Sequence, residues 1–170
     1  MKQIEGMIPF ITKEEIHEIT KKLATDLQMD FVGKKLSIVC PLMGSAFFCA
    51  DFVRQIKNPL ELDFVSISSP RGESVRINKD ISLDLRGKHV VIVEEVIDAG
   101  RSLSFLRDRI LMAGPASLNI VTLLDKPSRR EHPITADYIG KTIDDRFMIG
   151  YGLDSDQIGR NYADIYNYTQ

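Results

Sequence analysis

A chain of 170 residues has room for one substantial core with a small lobe grafted on, and 44% apolar with 27% charged residues is ordinary globular composition. A net charge of −2, from 22 Lys and Arg against 24 Asp and Glu, argues against a protein built to grip a nucleic-acid backbone. No apolar run approaches the roughly 18 residues of a bilayer span, and no N-terminal stretch has the zones of a signal peptide. Cys40 and Cys49 both fall in apolar stretches, as reduced buried thiols do, so a cytoplasmic protein without a membrane partner is expected.

Thr12-Lys13-Glu14-Glu15 has capping-box spacing. A helix is expected after Thr12, with Ile16, Ile19, Leu23 and Leu27 as its core stripe and Gly33 as its terminator. Residues 36–40 read as a buried strand, broken at Pro41-Leu42-Met43-Gly44 before a helix over about 45–56. Another strand is expected over 61–68. A turn-rich loop, Ser69-Pro70-Arg71-Gly72-Glu73-Ser74, then leads to a short strand at 75–77.

Residues 89–93 give the strongest buried-strand signal in the chain. Beyond them, 94–102 reads as an acidic loop, followed by a helix from Ser102 with Leu103, Leu106, Ile110 and Leu111 on or near its inner face and a stop at Gly114-Pro115. A further strand over 118–124 ends at Asp125-Lys126-Pro127. The last third is irregular, with short strands near 137–139 and 147–151 and a Gly/Asp/Tyr-rich tail.

Alternating strands and helices imply right-handed crossovers and a mostly parallel sheet covered on both faces. In such sheets ligands collect beyond the carboxyl ends of the strands, here after Val39, Val93 and Leu124. The acidic loop sits at one of these junctions. Ala99 and Gly100 let the backbone approach a ligand, and the helix start offers unpaired N–H groups to a phosphate, with the Ser102 hydroxyl beside them. Arg101 either adds charge or faces water. Glu94 and Glu95 suit ribose hydroxyls, or Mg²⁺ held through water. The residues alone leave two readings open, a sugar-phosphate cradle and an ordinary capped helix behind acidic residues. His17, His89 and His132 lack ligand-spaced companions, so no zinc site is expected.

Residues 90–103, Val-Val-Ile-Val-Glu-Glu-Val-Ile-Asp-Ala-Gly-Arg-Ser-Leu, resemble the phosphoribosyl pyrophosphate motif of type I phosphoribosyltransferases. The hypoxanthine/guanine branch is most similar. Leu42-Met43-Gly44-Ser45 resembles its pyrophosphate turn, and Leu123-Leu124-Asp125-Lys126-Pro127-Ser128-Arg129-Arg130 resembles the segment bearing its base-reading lysine. Asp137-Tyr138-Ile139-Gly140, residues 147–154 and Arg160-Asn161 resemble its purine hood. The blocks are collinear from about 36 to 166.

The resemblance implies an α/β fold of the type I phosphoribosyltransferase kind: a mostly parallel twisted sheet flanked by helices, in a single domain over 1–170. A small hood lobe would come from the N-terminal residues and about 127–170. It implies Mg²⁺-dependent transfer of the 5-phosphoribosyl group from phosphoribosyl pyrophosphate to hypoxanthine and/or guanine, giving IMP or GMP and pyrophosphate, by a homo-oligomer (dimer or tetramer). By the same resemblance Glu94 and Glu95 would bind the ribose hydroxyls, Glu94 partly through Mg²⁺. Asp98 would take or share the purine N7 proton, and the backbone of Asp98, Ala99, Gly100, Arg101 and Ser102 would hold the 5′-phosphate. Lys126 would contact the 6-oxygen, Phe147 would stack on the base, and the Met148 backbone would read its edge. Met43, Gly44 and Arg160 would face pyrophosphate, and Asp154 would carry a second Mg²⁺.

Four departures stand out: Glu95 for the usual aspartate, Ala99 for threonine, Met43 for lysine or arginine, and a short lid loop without tyrosine at 68–74. They motivate a second function class, a catalytically weak nucleotide-binding regulator or assembly component. A third is an enzyme for xanthine or a pyrimidine.

Overall fold

The computed structural model describes residues 7–69 and 74–168. Pro70 to Glu73, the centre of the expected lid, and the first six residues of the expected hood lie outside them. Thr12 caps the first helix as its spacing predicts, its side-chain oxygen accepting from the Glu15 N–H at 3.2 Å, and α1 runs Lys13–Asp30. Gly33 is not the terminator: the Phe31 N–H closes on the Leu27 carbonyl first, and Gly33 takes the left-handed turn that follows.

The remaining elements are β1 (Leu36–Leu42), α2 (Ser45–Gln55), β2 (Leu60–Ser68), β3 (Arg76–Lys79), β4 (His89–Ile97), α3 (Arg101–Leu111), β5 (Ser117–Asp125), β6 (Tyr138–Thr142), β7 (Met148–Ile149) and β8 (Tyr166–Asn167). Six strands form one sheet in the order β3-β2-β1-β4-β5-β6, with every pairing parallel except β2 with β3. The short β7 and β8 pair antiparallel by themselves.

Alternation along the central strands divides the core in two. Ile38, Cys40, Val91, Val93, Val121 and Leu123 pack with Phe48 and Phe52 of α2 and with Ile16, Leu23 and Leu27 of α1. Val39, Val90, Ile92 and Ile120 pack with Leu103, Leu106 and Ile110 of α3. Because both faces are covered, β1, β4 and β5 read as nearly continuous apolar runs. Leu111 departs from expectation and is 51% exposed, since one residue past Ile110 turns a helical side chain roughly 100° off the buried stripe. Both cysteines are free and buried. No helix among the described residues is long and apolar enough to cross a membrane.

Two strands outrun their apolar segments. Pro41 and Leu42, expected as a break, continue to pair with Val65 and Ser66 of β2. The pairing of β1 with β4 ends at Val39, so Pro41 occupies an edge position, where a missing N–H is tolerated. β4 continues to Ile97, with Glu94 opposite Thr122 and Ile97 opposite Asp125. The acidic pair therefore lies on a strand, not in the loop after it. Beyond β5, the chain returns to the N-terminus: the N–H groups of Phe10 and Ile11 donate to the Ile165 carbonyl at 2.8 and 3.1 Å, and Lys141 pairs with Glu15.

At the opposite edge of the sheet, Glu61 of β2 accepts from Lys88, from Lys35 at 3.0 Å and from the Ser37 hydroxyl at 2.8 Å. It clamps the starts of β1, β2 and β4 together. The Lys88 bond, then those of Lys35 and Ser37, hold its carboxyl down at about 2, against an ordinary 4.5. A depressed folded-state value contributes stability above the unfolded value and loses it as pH falls through the folded one. Urea unfolding should therefore show wild type more stable than Glu61→Gln above pH 4.5, with the gap closing as pH approaches about 2. A gap constant over that window would show that the ion pairs contribute nothing.

Candidate active site

At the carboxyl edge of the sheet, two helices begin without a side-chain cap. α1 has Thr12, but α2 starts at Gly44 and α3 at Gly100 with no side-chain hydrogen bond to their first N–H groups. An uncapped helix N-terminus favours anions. Gly100 is required at its position twice over. Its φ is +82°, and an added Cβ would lie 2.6 Å from the Ile134 side chain. The Ala99 carbonyl accepts from the N–H groups of Glu131 and His132 at 3.0 and 3.1 Å, which holds the loop in shape from behind.

A cavity of about 310 Å³ opens at this loop, lined by Glu94 and by the run from Val96 to Leu103, with Ser69, Arg129 and Glu131 across from it. Of the expected ribose-phosphate residues, Glu94, Asp98, Ala99, Gly100, Arg101 and Ser102 come together here. Asp98 is met by a residue to which sequence reading gave no role: Arg129 Nε donates to Asp98 Oδ1 at 3.0 Å, while its Nη1 lies 3.6 Å from Asp145. Arg130 donates to the Asp98 carbonyl and pairs with Asp125. The 3-10 turn Pro127–Arg129 presents this arginine to a residue 31 positions earlier in the chain.

Lys126 is buried, although it carries a charge. Its N–H donates to the Ile97 carbonyl at 3.0 Å, and its ammonium donates to the Arg146 carbonyl at 2.7 Å. The backbone is thus tied to the end of β4, one residue before Asp98, and the cation to the residue before Phe147. Phe147 is 48% exposed, its ring tilted against Tyr168 with centroids 5.9 Å apart, whereas Met148 is buried in β7 opposite Asn167.

Glu95 stays bonded to Glu94 and also reaches the turn before α2. Ser45 donates its hydroxyl to the Glu95 carboxylate and accepts from the Glu95 N–H at 3.4 Å. A Cβ on Gly44 would collide with that same carboxylate and with the Gly152 carbonyl. The Glu95 carboxylate thus lies against the turn before α2, and Glu94, bonded to it, meets the same Ser45 hydroxyl. Burial raises the carboxyl of Glu94 well above its ordinary range, and the adjacent Glu95 adds to this. Burial also raises Glu95, opposed by the Ser45 hydroxyl and by the charge of Arg160.

The Leu42–Met43 peptide is cis, and Met43 is exposed. Across from this turn, Arg160 donates to the Gly152 carbonyl at 2.7 Å and pairs with Asp154 at 2.7 Å, while its buried Nε–H finds no partner among the described residues. An unsatisfied guanidinium N–H beside an uncapped helix start suits a further anion. Tyr151, between two glycines, donates its hydroxyl to Asp51 of α2 at 2.7 Å, a second tie from this loop to α2. Among the described residues no three His, Cys, Asp or Glu side chains gather as a metal cage. Mg²⁺ is usually held by one or two carboxylates completed by substrate phosphates, and the hard oxygens of Glu94 and Asp154 fit that mode.

A sequence profile of the phosphoribosyl transferase domain matches residues 12–156. The chain belongs to this family. It is similar to the hypoxanthine phosphoribosyltransferase of Haemophilus influenzae, 41% identical over 91% of each chain. It is 40% identical to the hypoxanthine-guanine phosphoribosyltransferase of Staphylococcus aureus, over 89% of this chain and 87% of that one. Among solved structures, a hypoxanthine-guanine phosphoribosyltransferase of Bacillus anthracis superposes with a TM-score of 0.91 at 40% identity, covering 94% and 95% of the two chains. A hypoxanthine phosphoribosyltransferase of Staphylococcus aureus gives 0.94 at 36% identity, covering 99% and 96%. The expected α/β fold of the type I phosphoribosyltransferases is the fold of this chain, and the chain is a transferase.

Gly44 and Gly152 are where this phosphoribosyltransferase lets two backbones touch. Gly152 has φ +96°, and a Cβ there would strike the Gly44 carbonyl. Gly152→Ala should lower unfolding stability by about 1–3 kcal/mol in a urea titration. Alanine tolerated at no cost would mean that the contact between the turn and the 150–153 loop is not tight.

Proposed function

We propose that the chain transfers the 5-phosphoribosyl group from phosphoribosyl pyrophosphate to hypoxanthine and/or guanine, giving IMP or GMP and releasing pyrophosphate. The observation that carries this reading is buried Lys126, its ammonium held by the carbonyl of Arg146, which precedes Phe147, and its backbone tied to Ile97, which precedes Asp98. An ammonium has three donors and no acceptor. With one donor spent on Arg146, the cation favours a purine whose 6-position offers an oxygen and disfavours one that offers an amino group. The H. influenzae and S. aureus relatives, named for hypoxanthine and for hypoxanthine and guanine, support the same choice.

The remaining roles follow from position. The uncapped start of α3 and the Ser102 hydroxyl receive the 5′-phosphate, with Ala99 and Gly100 allowing close approach. Arg101, first residue of α3, contributes positive charge to the same cavity. Glu94 faces ribose, where negative charge stabilises C1′ as it becomes electron-poor on departure of pyrophosphate. Arg160 and the backbone of Met43 and Gly44 receive the leaving pyrophosphate. One Mg²⁺ at Glu94 and a second at Asp154 would neutralise the charge of the leaving group.

Asp98 keeps its carboxylate oriented through Arg129 and offers its other oxygen to the N7 proton of the base. The half-exposed Phe147 ring and the Met148 backbone receive the base face and edge, in a hood built from the N-terminal residues and about 127–170.

The test is nucleotide formation from phosphoribosyl pyrophosphate and Mg²⁺ with hypoxanthine, guanine, xanthine, adenine or uracil. Hypoxanthine and/or guanine should react best, and Lys126→Ala should lose preference for 6-oxo over 6-amino purines before it loses phosphoribosyl pyrophosphate binding. Asp98→Asn should lower kcat by roughly 10²–10⁴-fold. Adenine as the best substrate would overturn the Lys126 assignment. Nucleotide binding without product from any base would leave a binding protein in place of an enzyme.

A further inference from the structure

Glu95 stands where its family usually has the shorter aspartate, and its surroundings explain what the added methylene reaches. Ser45, first residue of α2, is almost wholly buried, with 1% of its surface exposed. Its hydroxyl bonds the Glu95 side chain and backbone together. Glu94 also meets this hydroxyl, but Glu95 holds it through both its carboxylate and its N–H, which couples the two residues. The same carboxylate and the Gly152 carbonyl both close against the Cα of Gly44. Arg160, bonded to the Gly152 carbonyl at 2.7 Å, supplies the positive charge that favours the ionised carboxylate. One glutamate therefore spans from the end of β4 to the pyrophosphate turn, and the turn in turn abuts the 150–153 loop.

We propose that Glu95 is a positioning residue that braces the pyrophosphate turn through Ser45, and that it is not a ribose ligand. This rests on the phosphoribosyl-transfer reading of the site. The brace fixes Gly44 and the uncapped start of α2 against β4, so its loss displaces groups that meet pyrophosphate while leaving Asp98, Lys126 and Phe147 in place. Aspartate keeps the charge but lacks the reach, whereas glutamine keeps the reach and an acceptor oxygen for Ser45 but lacks the charge. The two substitutions therefore separate a brace from a charge aimed at ribose.

Glu95→Asp, the residue usual in the family, should raise KM for phosphoribosyl pyrophosphate roughly tenfold with a smaller change in kcat. Glu95→Gln should raise it by less than about threefold. Ser45→Ala should reproduce the Glu95→Asp effect, and the double variant should be no worse than either single one. Urea unfolding of the same four proteins reads the Ser45–Glu95 coupling without any substrate. Absence of product from every base would therefore count against the proposed activity and leave the brace testable on stability alone. Additive effects of Ser45→Ala and Glu95→Asp on stability would overturn the brace. So would a Glu95→Asp enzyme at or above wild-type efficiency alongside a crippled Glu95→Gln.

Discussion

Everything at the site depends on the burial of β1, β4 and β5 on both faces. A strand sandwiched between α1 and α2 on one side and α3 on the other has no place along its length for an ionised side chain. Polar chemistry is confined to where the three strands leave the core. Parallel pairing brings those exits to one edge, so Leu42, Ile97 and Asp125 deliver the turn before α2, the loop before α3 and Lys126 to the same rim. The helices returning from that rim aim their uncapped N-termini back at it. An anion-receptive site is thus a consequence of topology before any particular side chain is considered.

The side chains then set opposite charges against one another. Glu94, Glu95 and Asp98 give the rim a negative floor, while Lys126, Arg129, Arg130 and Arg160 approach it from segments after β5. Asp98 is paired with Arg129, and Asp154 with Arg160, so these charges are partly neutralised before any substrate arrives. Glu94 is the exception. Burial and the adjacent Glu95 push its carboxyl upward, against the Ser45 hydroxyl. That upward-shifted carboxyl is the one expected beside the ribose, where electropositive character develops during transfer.

The fold was legible because it is written in local signals. The capping box at Thr12, the apolar runs of the central strands and the small residues at Ala99-Gly100 each specify their element within a few positions. Strand ends were misread where the signal was composition and the cause was pairing. Glu94 to Ile97 remain strand because β5 continues beside them, and Pro41 remains strand because only β2 needs it. Leu111 was placed inward by its hydrophobicity, although a single helical step carried it out to solvent. The site residues that went unseen act across the chain: Arg129 on Asp98, Ser45 on Glu95, Gly152 on Gly44, Tyr151 on Asp51. No periodicity or spacing encodes such partners, because the fold alone brings them together.

The departures from the family pattern also look different once they have neighbours. Met43 takes away a charge at the pyrophosphate turn, yet its side chain is exposed, and what the turn offers is backbone and the start of α2. Ala99 gives up a hydroxyl, but its carbonyl is held by two N–H groups from 131–132, so the cradle keeps its shape without one. Glu95 is the change that meets the turn itself, since its carboxylate bonds Ser45 and lies against Gly44. An enzyme with fewer charges at its pyrophosphate turn has more need of that turn held rigidly, because the backbone N–H groups that replace a flexible cation work only at fixed distances. The exposed Met43 and the buried Ser45–Glu95 bond thus flank the same Gly44.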